Sequence, residues 1–374
     1  SACAYCCVRI PPKRSELQQL LLWTALVAAY PLLSALWALE PRRSVTNVGM
    51  CIAIAVASVL VFRRTGSLKE TFWPAVAHGV PAIVFVTLID VLLDVPIRTL
   101  FAELGVAWVG QPATVGKTGH IEQGLVNWSM TILTLSLFPY LNATREPSKG
   151  QAWKQALRLS VVAALLLAAL LSTHESSKVA ICVGMVVYGL AQLSKRFTLG
   201  LVLAGWLLSV AATPLIMSAV LPLAGRASGL VQSSLEIRFR IWRVALNDIA
   251  THPWRGTGIG STRAEFREKS QHKGTFYKTG IAAHSHNWFL DLWRELGAIG
   301  AACAAIWIAL IAYRLFERLP HVSPELIAFT GLVLTMSTAS FSLWAPWYLC
   351  AIGLSFAMFG LTNARPTAQG APGP

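Results

Sequence analysis

The chain has 374 residues, of which 55% are hydrophobic and only 13% are charged, and its formal net charge is +14. Soluble domains carry roughly a quarter charged residues, so this composition excludes an ordinary soluble enzyme or binding domain. Most of the chain is therefore expected to lie in a lipid bilayer.

Apolar segments recur along nearly the whole chain. Crossing a hydrocarbon core takes roughly 20 helical residues, and about ten segments approach that length. They lie near residues 18–39, 46–62, 73–97, 125–142, 153–172, 178–194, 197–224, 288–316, 323–343 and 345–362. The segments lack the alternation of a barrel strand. They predict an all-α fold, a polytopic transmembrane helical bundle in which each helix satisfies its own backbone hydrogen bonds.

The Lys and Arg residues of the short loops predict the orientation, because cytoplasmic loops hold an excess of both. With the N-terminus inside, the cytoplasmic side receives the basic groups at residues 9–14, 63–69, 145–158, 195–196 and 314–318. This topology places the one long connection on the outer side of the membrane.

Four regions follow from this topology. They are an N-terminal transmembrane bundle at 1–224, a large outer loop at 225–287, C-terminal transmembrane helices at 288–362 and a tail at 363–374. The tail is rich in Pro, Gly and Ala, and we expect it to be disordered.

A short polar stretch, Ser176-Ser177-Lys178, lies between the fifth and sixth apolar segments, on the outer side. In one interpretation Lys178 only extends its ammonium group toward the interface. In the other, Lys178 supplies a cation to a phosphate group bound across the bundle. Both interpretations stay open from the residues alone.

The long outer loop is strongly basic, with ten Lys and Arg residues against four Asp and Glu residues between positions 225 and 287. Short outer loops are normally poor in Lys and Arg, although loops of this length partly escape that rule. The positive charge indicates an anionic ligand. The alternative is that the basic residues bind lipid headgroups.

Residues 234–250 have the periodicity of an amphipathic helix. The apolar stripe consists of Leu235, Phe239, Trp242, Leu246 and Ile249, and the polar stripe of Glu236, Arg240, Arg243 and Asn247. Arg238 lies on the flank of the apolar stripe, near Trp242, and is predicted to point inward. Its planar guanidinium suits phosphate oxygens.

The loop ends in His284-Ser285-His286-Asn287, which leads directly into the next apolar segment. Asn287 is a plausible helix cap. An imidazole whose pKa lies near neutrality, at the mouth of a membrane bundle, suits general base catalysis on a sugar hydroxyl. The alternative is that these histidines are only interfacial polar residues.

Zinc binding is a further alternative at two places. Cys3, Cys6 and Cys7 form an N-terminal cluster, but no matching second ligand pair follows. His284 and His286 have a ligand-like spacing, but Glu295, the third candidate ligand, begins a deeper helical turn. We therefore expect no metal site.

The residues around His286 resemble the O-antigen ligase family, which includes O-antigen polymerases and protein O-oligosaccharyltransferases. The family pattern of His, a polar residue, nine residues, Gly, two residues and Gly is matched from His286-Asn287 to Gly297 and Gly300. The sequence from Arg238 to Trp242 is similar to the family's Arg-x-x-x-Trp. Glu295-Leu296-Gly297 looks like its Glu-x-Gly. Lys178 departs from the Arg that relatives often carry there.

The resemblance implies a GT-C-like glycosyltransferase of about ten to twelve spans in the bacterial inner membrane, with its active site at the periplasmic face. It would transfer O-antigen from undecaprenyl pyrophosphate to the lipid A-core, with inversion and without nucleotide, metal or other cofactor. His286 would be the general base, and Arg238 and Lys178 would bind the pyrophosphate. Supporting roles would fall to His284, Asn287, Glu295 and Trp242.

Three alternatives remain. An O-antigen polymerase would use the same donor with another lipid-linked glycan as acceptor. A protein O-oligosaccharyltransferase would use a protein acceptor and often has a longer outer segment near its C-terminus. A membrane transporter is suggested by Asp90 and Asp94 in the third apolar segment, because carboxylates inside a membrane can mark ion paths.

Overall fold

The computed structural model describes most of the chain. The described residues are 18, 22, 25, 29–63, 65–93, 119–145, 152–226, 233–270 and 282–363. All regular secondary structure within these ranges is helical, which confirms the predicted all-α class. The N-terminal cysteine cluster, Asp94 and the predicted disordered tail from residue 364 onward lie outside the described residues.

Eleven α-helices of the described part are labelled here in chain order. They are α1 Pro41–Arg63, α2 Thr65–Leu92, α3 Gly119–Ala143, α4 Ala152–Leu171, α5 Glu175–Leu193, α6 Lys195–Arg226, α7 Ser233–Thr251, α8 Ser261–Ser270, α9 Trp288–Glu317, α10 Pro324–Ala339 and α11 Pro346–Asn363. Short 3-10 turns lie at Ser34–Leu36 and Leu319–His321.

Four helices in the described ranges are long and apolar enough to cross a membrane. They are α4, α5, α9 and the Lys195–Pro222 part of α6. Shorter apolar helices lie at His78–Leu92, Pro324–Ala339 and Pro346–Phe359. The chain therefore has the character of a membrane helical protein, and the count of ten to twelve spans stays a prediction.

The first predicted apolar segment, 18–39, is not helical to its end. The chain leaves the helix after Leu33, forms the 3-10 turn and continues irregularly to residue 40. Polar contacts explain the break, because the Ser34 hydroxyl accepts from the Ile259 amide at 3.3 Å and the Leu39 amide donates to the Ser261 hydroxyl at 3.2 Å. Hydrophobicity alone gives no sign of these contacts, which form with residues far along the chain.

The turns of the bundle gather at two ends. The loop end is defined here by residues 172–174, the described parts of the long connection at 233–270 and 282–287, and residues 340–345. The opposite end contains residues 144–145, 194 and 318–323. Helices α5 and α10 pack side by side through the centre, and α9 packs along α6. The chain thus alternates between the two ends from α4 to α11.

Helices α7 and α8 are fastened to the first turns of α9 by Arg294, which is only 2% exposed. Its guanidinium lies 2.5 Å from Asp248 Oδ2 in α7 and 2.8 Å from Glu265 Oε2 in α8. A buried guanidinium must be paired, since an unpaired charge away from water is costly. One side chain therefore fixes both helices of the long connection on the bundle.

We predict that Arg294→Ala lowers the free energy of unfolding by about 2–3 kcal/mol, because it removes two charged hydrogen bonds, leaves Asp248 without its ion pair and leaves Glu265 paired only with the exposed Lys269. Lys269→Ala is the matched control, since Lys269 pairs with the same Glu265 at 2.6 Å but is exposed. Exposed pairs of this type contribute about 0.3–0.5 kcal/mol. Unfolding of both variants is measured in the same detergent, and equal losses would contradict the fastening role of Arg294.

Candidate active site at the loop end

The predicted amphipathic helix forms as α7, but its buried face differs from the predicted stripe. The most buried side chains are Ile241, Trp242, Ala245 and Ile249, whereas Leu235 is 37% exposed. Arg238 precedes the first three by three, four and seven positions, so it shares their face of the helix. The face rotates toward Arg238 because α7 packs against both α6 and α9, which a helical wheel does not include.

The other two arginines of α7 lie on its exposed face. Arg240 pairs with Glu236 at 2.6 Å, one turn earlier on the same helix. Arg243 is exposed. The structure therefore separates Arg238 from Arg240 and Arg243, as the helical periodicity predicts.

His286 is held in an uncommon backbone conformation at the loop end. Its φ is 51°, and it is the only residue other than glycine with positive φ in the described ranges. Such conformations cost free energy and concentrate at functional sites. The imidazole Nδ1 lies 3.0 Å from the Ser340 carbonyl oxygen. A carbonyl only accepts, so Nδ1–H donates and the lone pair is on Nε2, which suits a base.

The peptide between the two histidines is fixed from both sides. The Ser285 carbonyl accepts from Trp242 Nε1–H at 2.8 Å, and the Ser285 amide donates to Asp291 Oδ1 at 2.8 Å. Asn287 Oδ1 accepts from the amides of Phe289 and Leu290 at 3.0 and 3.1 Å and so caps α9, as predicted. Trp242 and Asn287 thus position the histidine segment.

His284 stacks against His286, with ring centroids 4.1 Å apart. Its Nε2 atom is buried and has no hydrogen-bond partner among the described residues. Burial, followed by the charges of Arg263 and Arg238, lowers the pKa of His284 to about 4. The ring is therefore neutral near pH 7.

The charge of Arg238 affects the ionisation of three histidines. Burial lowers the pKa of His286 to about 3, and the neighbouring His284 and the charge of Arg238 contribute to this shift, so the expected pKa near neutrality is wrong. Burial and then Arg238 also lower the pKa of His174, which lies in the α4–α5 turn, to about 4. Burial lowers the pKa of the Arg238 guanidinium itself. One partly desolvated cation among neutral imidazoles suits an anionic ligand.

Glu295 belongs to the scaffold of the site. Its carboxylate accepts from the Gly260 amide at 2.8 Å and from the Thr262 amide at 3.2 Å, at the start of α8. These contacts turn Glu295 toward α8, so it does not join His284 and His286 in a zinc site. Across the described residues, no group of three or more His, Cys, Asp or Glu side chains could hold a metal ion.

Gly297 explains the Glu-x-Gly pattern. It interrupts α9 with φ 62° and ψ −164°, a combination that essentially only glycine adopts. The break lets the Ala298 amide donate to the Pro253 carbonyl at 2.8 Å, while the Gly258 amide donates to the Glu295 carbonyl at 2.8 Å. The turn that contains Pro253 and Gly258 is thereby hydrogen-bonded to α9 at its interruption, shortly after the histidine segment.

Lys178 lies in the first turn of α5 and pairs with Glu175 at 2.9 Å. Its contact with a phosphate stays a prediction, and such a contact would replace the one with Glu175. Asp90, the residue that suggested the transporter alternative, is fully buried in α2.

Several residues of the site were missed from the sequence. His174 and Ser340 belong to segments that carry no motif, and Arg263 was counted in the basic loop without being singled out. The polar turn Ser172-Thr173-His174, which Glu175 separates from the Ser-Ser-Lys stretch, was a signal that could have indicated His174. Ser340 acts through its backbone carbonyl, which no residue type reveals.

A comparison with protein families matches residues 160–305 to the family described as O-antigen ligase. The matched range contains Lys178, Arg238 and the His286 segment, and it extends through the Gly297 break. A comparison with curated proteins finds no match.

Proposed function

We propose that this chain is a lipid-linked glycan ligase of the O-antigen ligase family, whose model matches residues 160–305. Members of this family are glycosyltransferase-like enzymes that act on lipid-linked glycans. In our proposal, the donor is O-antigen on undecaprenyl pyrophosphate and the acceptor is a sugar of the lipid A-core. The single observation that carries the proposal is that α7, which holds Arg238 on its buried face, contacts the peptide next to His286 through the 2.8 Å bond from Trp242 Nε1–H to the Ser285 carbonyl.

The transfer is a single displacement. An acceptor hydroxyl attacks the anomeric carbon of the donor sugar and forms the new C–O bond, while its proton passes to His286 Nε2. The bond from that carbon to the pyrophosphate oxygen breaks, and its electron pair stays on the leaving group. Attack from the opposite face inverts the anomeric carbon. The energy comes from the sugar-pyrophosphate bond, so neither nucleotide nor metal is required.

Arg238 acts on the leaving group. Negative charge grows on the pyrophosphate oxygen as the bond breaks, and a guanidinium in place before the reaction stabilises that charge without reorganisation. Partial desolvation strengthens the attraction. Lys178 would add a second cation if it exchanged Glu175 for a phosphate oxygen.

The distribution of basic residues between the two ends of the bundle supports an active site on the periplasmic side of the inner membrane. In the described part, the opposite end carries Arg145, Arg158, Lys195, Arg314 and Arg318, which is the pattern of a cytoplasmic face. The loop end then faces the periplasm, where both lipid-linked substrates would meet His286 at the mouth of the bundle.

The function is tested by incubating purified protein with lipid-pyrophosphate glycan and rough lipopolysaccharide, without nucleotide and with EDTA. We expect glycan on the lipid A-core with an inverted linkage. Longer donor chains without modified lipopolysaccharide would identify a polymerase. A requirement for magnesium or manganese would contradict the metal-independent mechanism.

We predict that His286→Ala abolishes transfer, because His286 has the Nδ1–H contact with Ser340 that leaves Nε2 as the base. His284→Ala should leave measurable activity, because only His286 lies in the complete motif that ends at Gly297 and Gly300. Both variants are compared at equal amounts of folded protein. An active His286 variant beside an inactive His284 variant would reverse the assignment of the base.

We predict that Arg238→Ala, and also Arg238→Lys, lowers kcat roughly 100-fold or more, the scale of losing one well-placed transition-state donor. Arg240→Ala and Arg243→Ala serve as matched controls on the exposed face of the same helix and should stay within about threefold, since solvent weakens exposed charge contacts. Similar modest losses at all three positions would refute the role of Arg238.

We predict that transfer does not fall between pH 8 and pH 5. A base must be unprotonated, and the pKa of His286 is lowered to about 3, so acidification to pH 5 leaves it neutral. For a histidine with the usual pKa of about 6.5, the unprotonated fraction, and with it the transfer rate, would fall roughly 30-fold over the same range. The measurement is kcat/KM against pH, which reports the pKa values of the free enzyme, and an inflection near 6.5 would contradict the buried, neutral base.

A further inference from the structure

His174 is a buried imidazole at the loop end that the proposed mechanism leaves unused. It lies in the turn between α4 and α5 and is only 8% exposed. It is close enough to Arg238 for that charge to affect its ionisation. A buried histidine in this position has to satisfy its ring nitrogens or present them to a ligand.

The contacts of His174 determine which nitrogen carries the proton. Nδ1 lies 2.6 Å from the hydroxyl oxygen of Ser177, which is fully buried. Within the described residues, the Ser177 hydroxyl has no other acceptor, so its O–H donates to Nδ1. The neutral ring then carries its proton on Nε2. Among the described residues, that Nε2–H group has no hydrogen-bond acceptor.

The position of the ring is fixed relative to the proposed base. The His174 ring stacks on Phe341 at a centroid distance of 6.2 Å and an angle of 25°. Ser176 donates its hydroxyl to the Ala339 carbonyl at 2.8 Å. The residue between these two partners, Ser340, orients His286. The α4–α5 turn and the His286 ring are therefore held by the same short segment after α10.

We propose that His174 binds the leaving pyrophosphate directly, donating from Nε2–H to a phosphate oxygen of the group that Arg238 holds. This inference rests on the proposed function for the identity of the ligand. A neutral donor suits this place because it adds a hydrogen bond without adding a second positive charge beside Arg238. Hydrogen bonds to charged oxygens are the stronger class. The donor lipid would thus be held by a guanidinium from α7 and an imidazole from the α4–α5 turn.

The test measures binding of geranylgeranyl pyrophosphate to the full-length protein in detergent, with geranylgeraniol as a probe of the lipid contacts alone. His174→Ala should weaken binding of the pyrophosphate roughly 10- to 30-fold, the scale of one hydrogen bond to a charged group, and leave binding of the alcohol unchanged. His252→Ala is the matched control, because His252 is exposed and contacts only Thr251 through its ring in the described part of the chain.

Two conservative variants separate a direct contact from a packing effect. The amide nitrogen of His174→Gln falls near the position of Nε2 and should restore much of the affinity, whereas the shorter amide of His174→Asn should not. Ser177→Ala should weaken binding of the pyrophosphate several-fold, because the His174 ring is then free to carry its proton on Nδ1 instead of Nε2. If the Ala variant does not fold, the Gln and Asn pair decides.

Unchanged pyrophosphate binding by His174→Ala, equal losses in the Gln and Asn variants, or an equal loss in His252→Ala would overturn the inference. The result is independent of the proposed ligase activity. Binding that depends on His174 in a protein without ligase activity would keep this site and refute the function. Ligation by a protein whose pyrophosphate binding does not depend on His174 would keep the function and refute this site.

Discussion

A buried guanidinium between two carboxylates determines how the long connection sits on the bundle. Arg294 holds α7 through Asp248 and α8 through Glu265, and the neighbouring Glu295 accepts amides at the start of α8. Because both residues belong to the first turns of α9, the same helix start also carries the histidine segment. Without these contacts, α7 would be held to the histidine segment mainly by its buried face and by the Trp242 bond to the Ser285 carbonyl, so the position of Arg238 beside the imidazoles would be less fixed.

Desolvation makes this arrangement chemically useful. Arg238 and the imidazoles of His174, His284 and His286 share a poorly hydrated region, which keeps the imidazoles neutral and leaves the guanidinium in need of an anion. In our proposal, one region provides a proton acceptor and an anion-binding group, the two parts that glycosyl transfer from a pyrophosphate requires. A metal is not needed to balance the charge of the leaving group in this account.

The sequence predicted the parts of the fold that depend on local pattern. Hydrophobic segments located the helices, periodicity located α7 and the side of Arg238, and Asn287 was identified as a cap. Prediction from the sequence failed where a feature depends on residues far apart along the chain. The helix end before Ser34 depends on partners more than 200 positions later, and the role of Glu295 depends on backbone amides. The place of His174 depends on the packing of α5 against α10.

A structure with a bound prenyl pyrophosphate, determined by electron cryomicroscopy, tests the central claim most directly. The account predicts that the pyrophosphate oxygens lie within hydrogen-bond distance of Arg238 at the loop end, with the nearby His286 ring still donating from Nδ1 to the Ser340 carbonyl. Pyrophosphate bound at the opposite end of the bundle, or at the loop end without contact to Arg238, would contradict it.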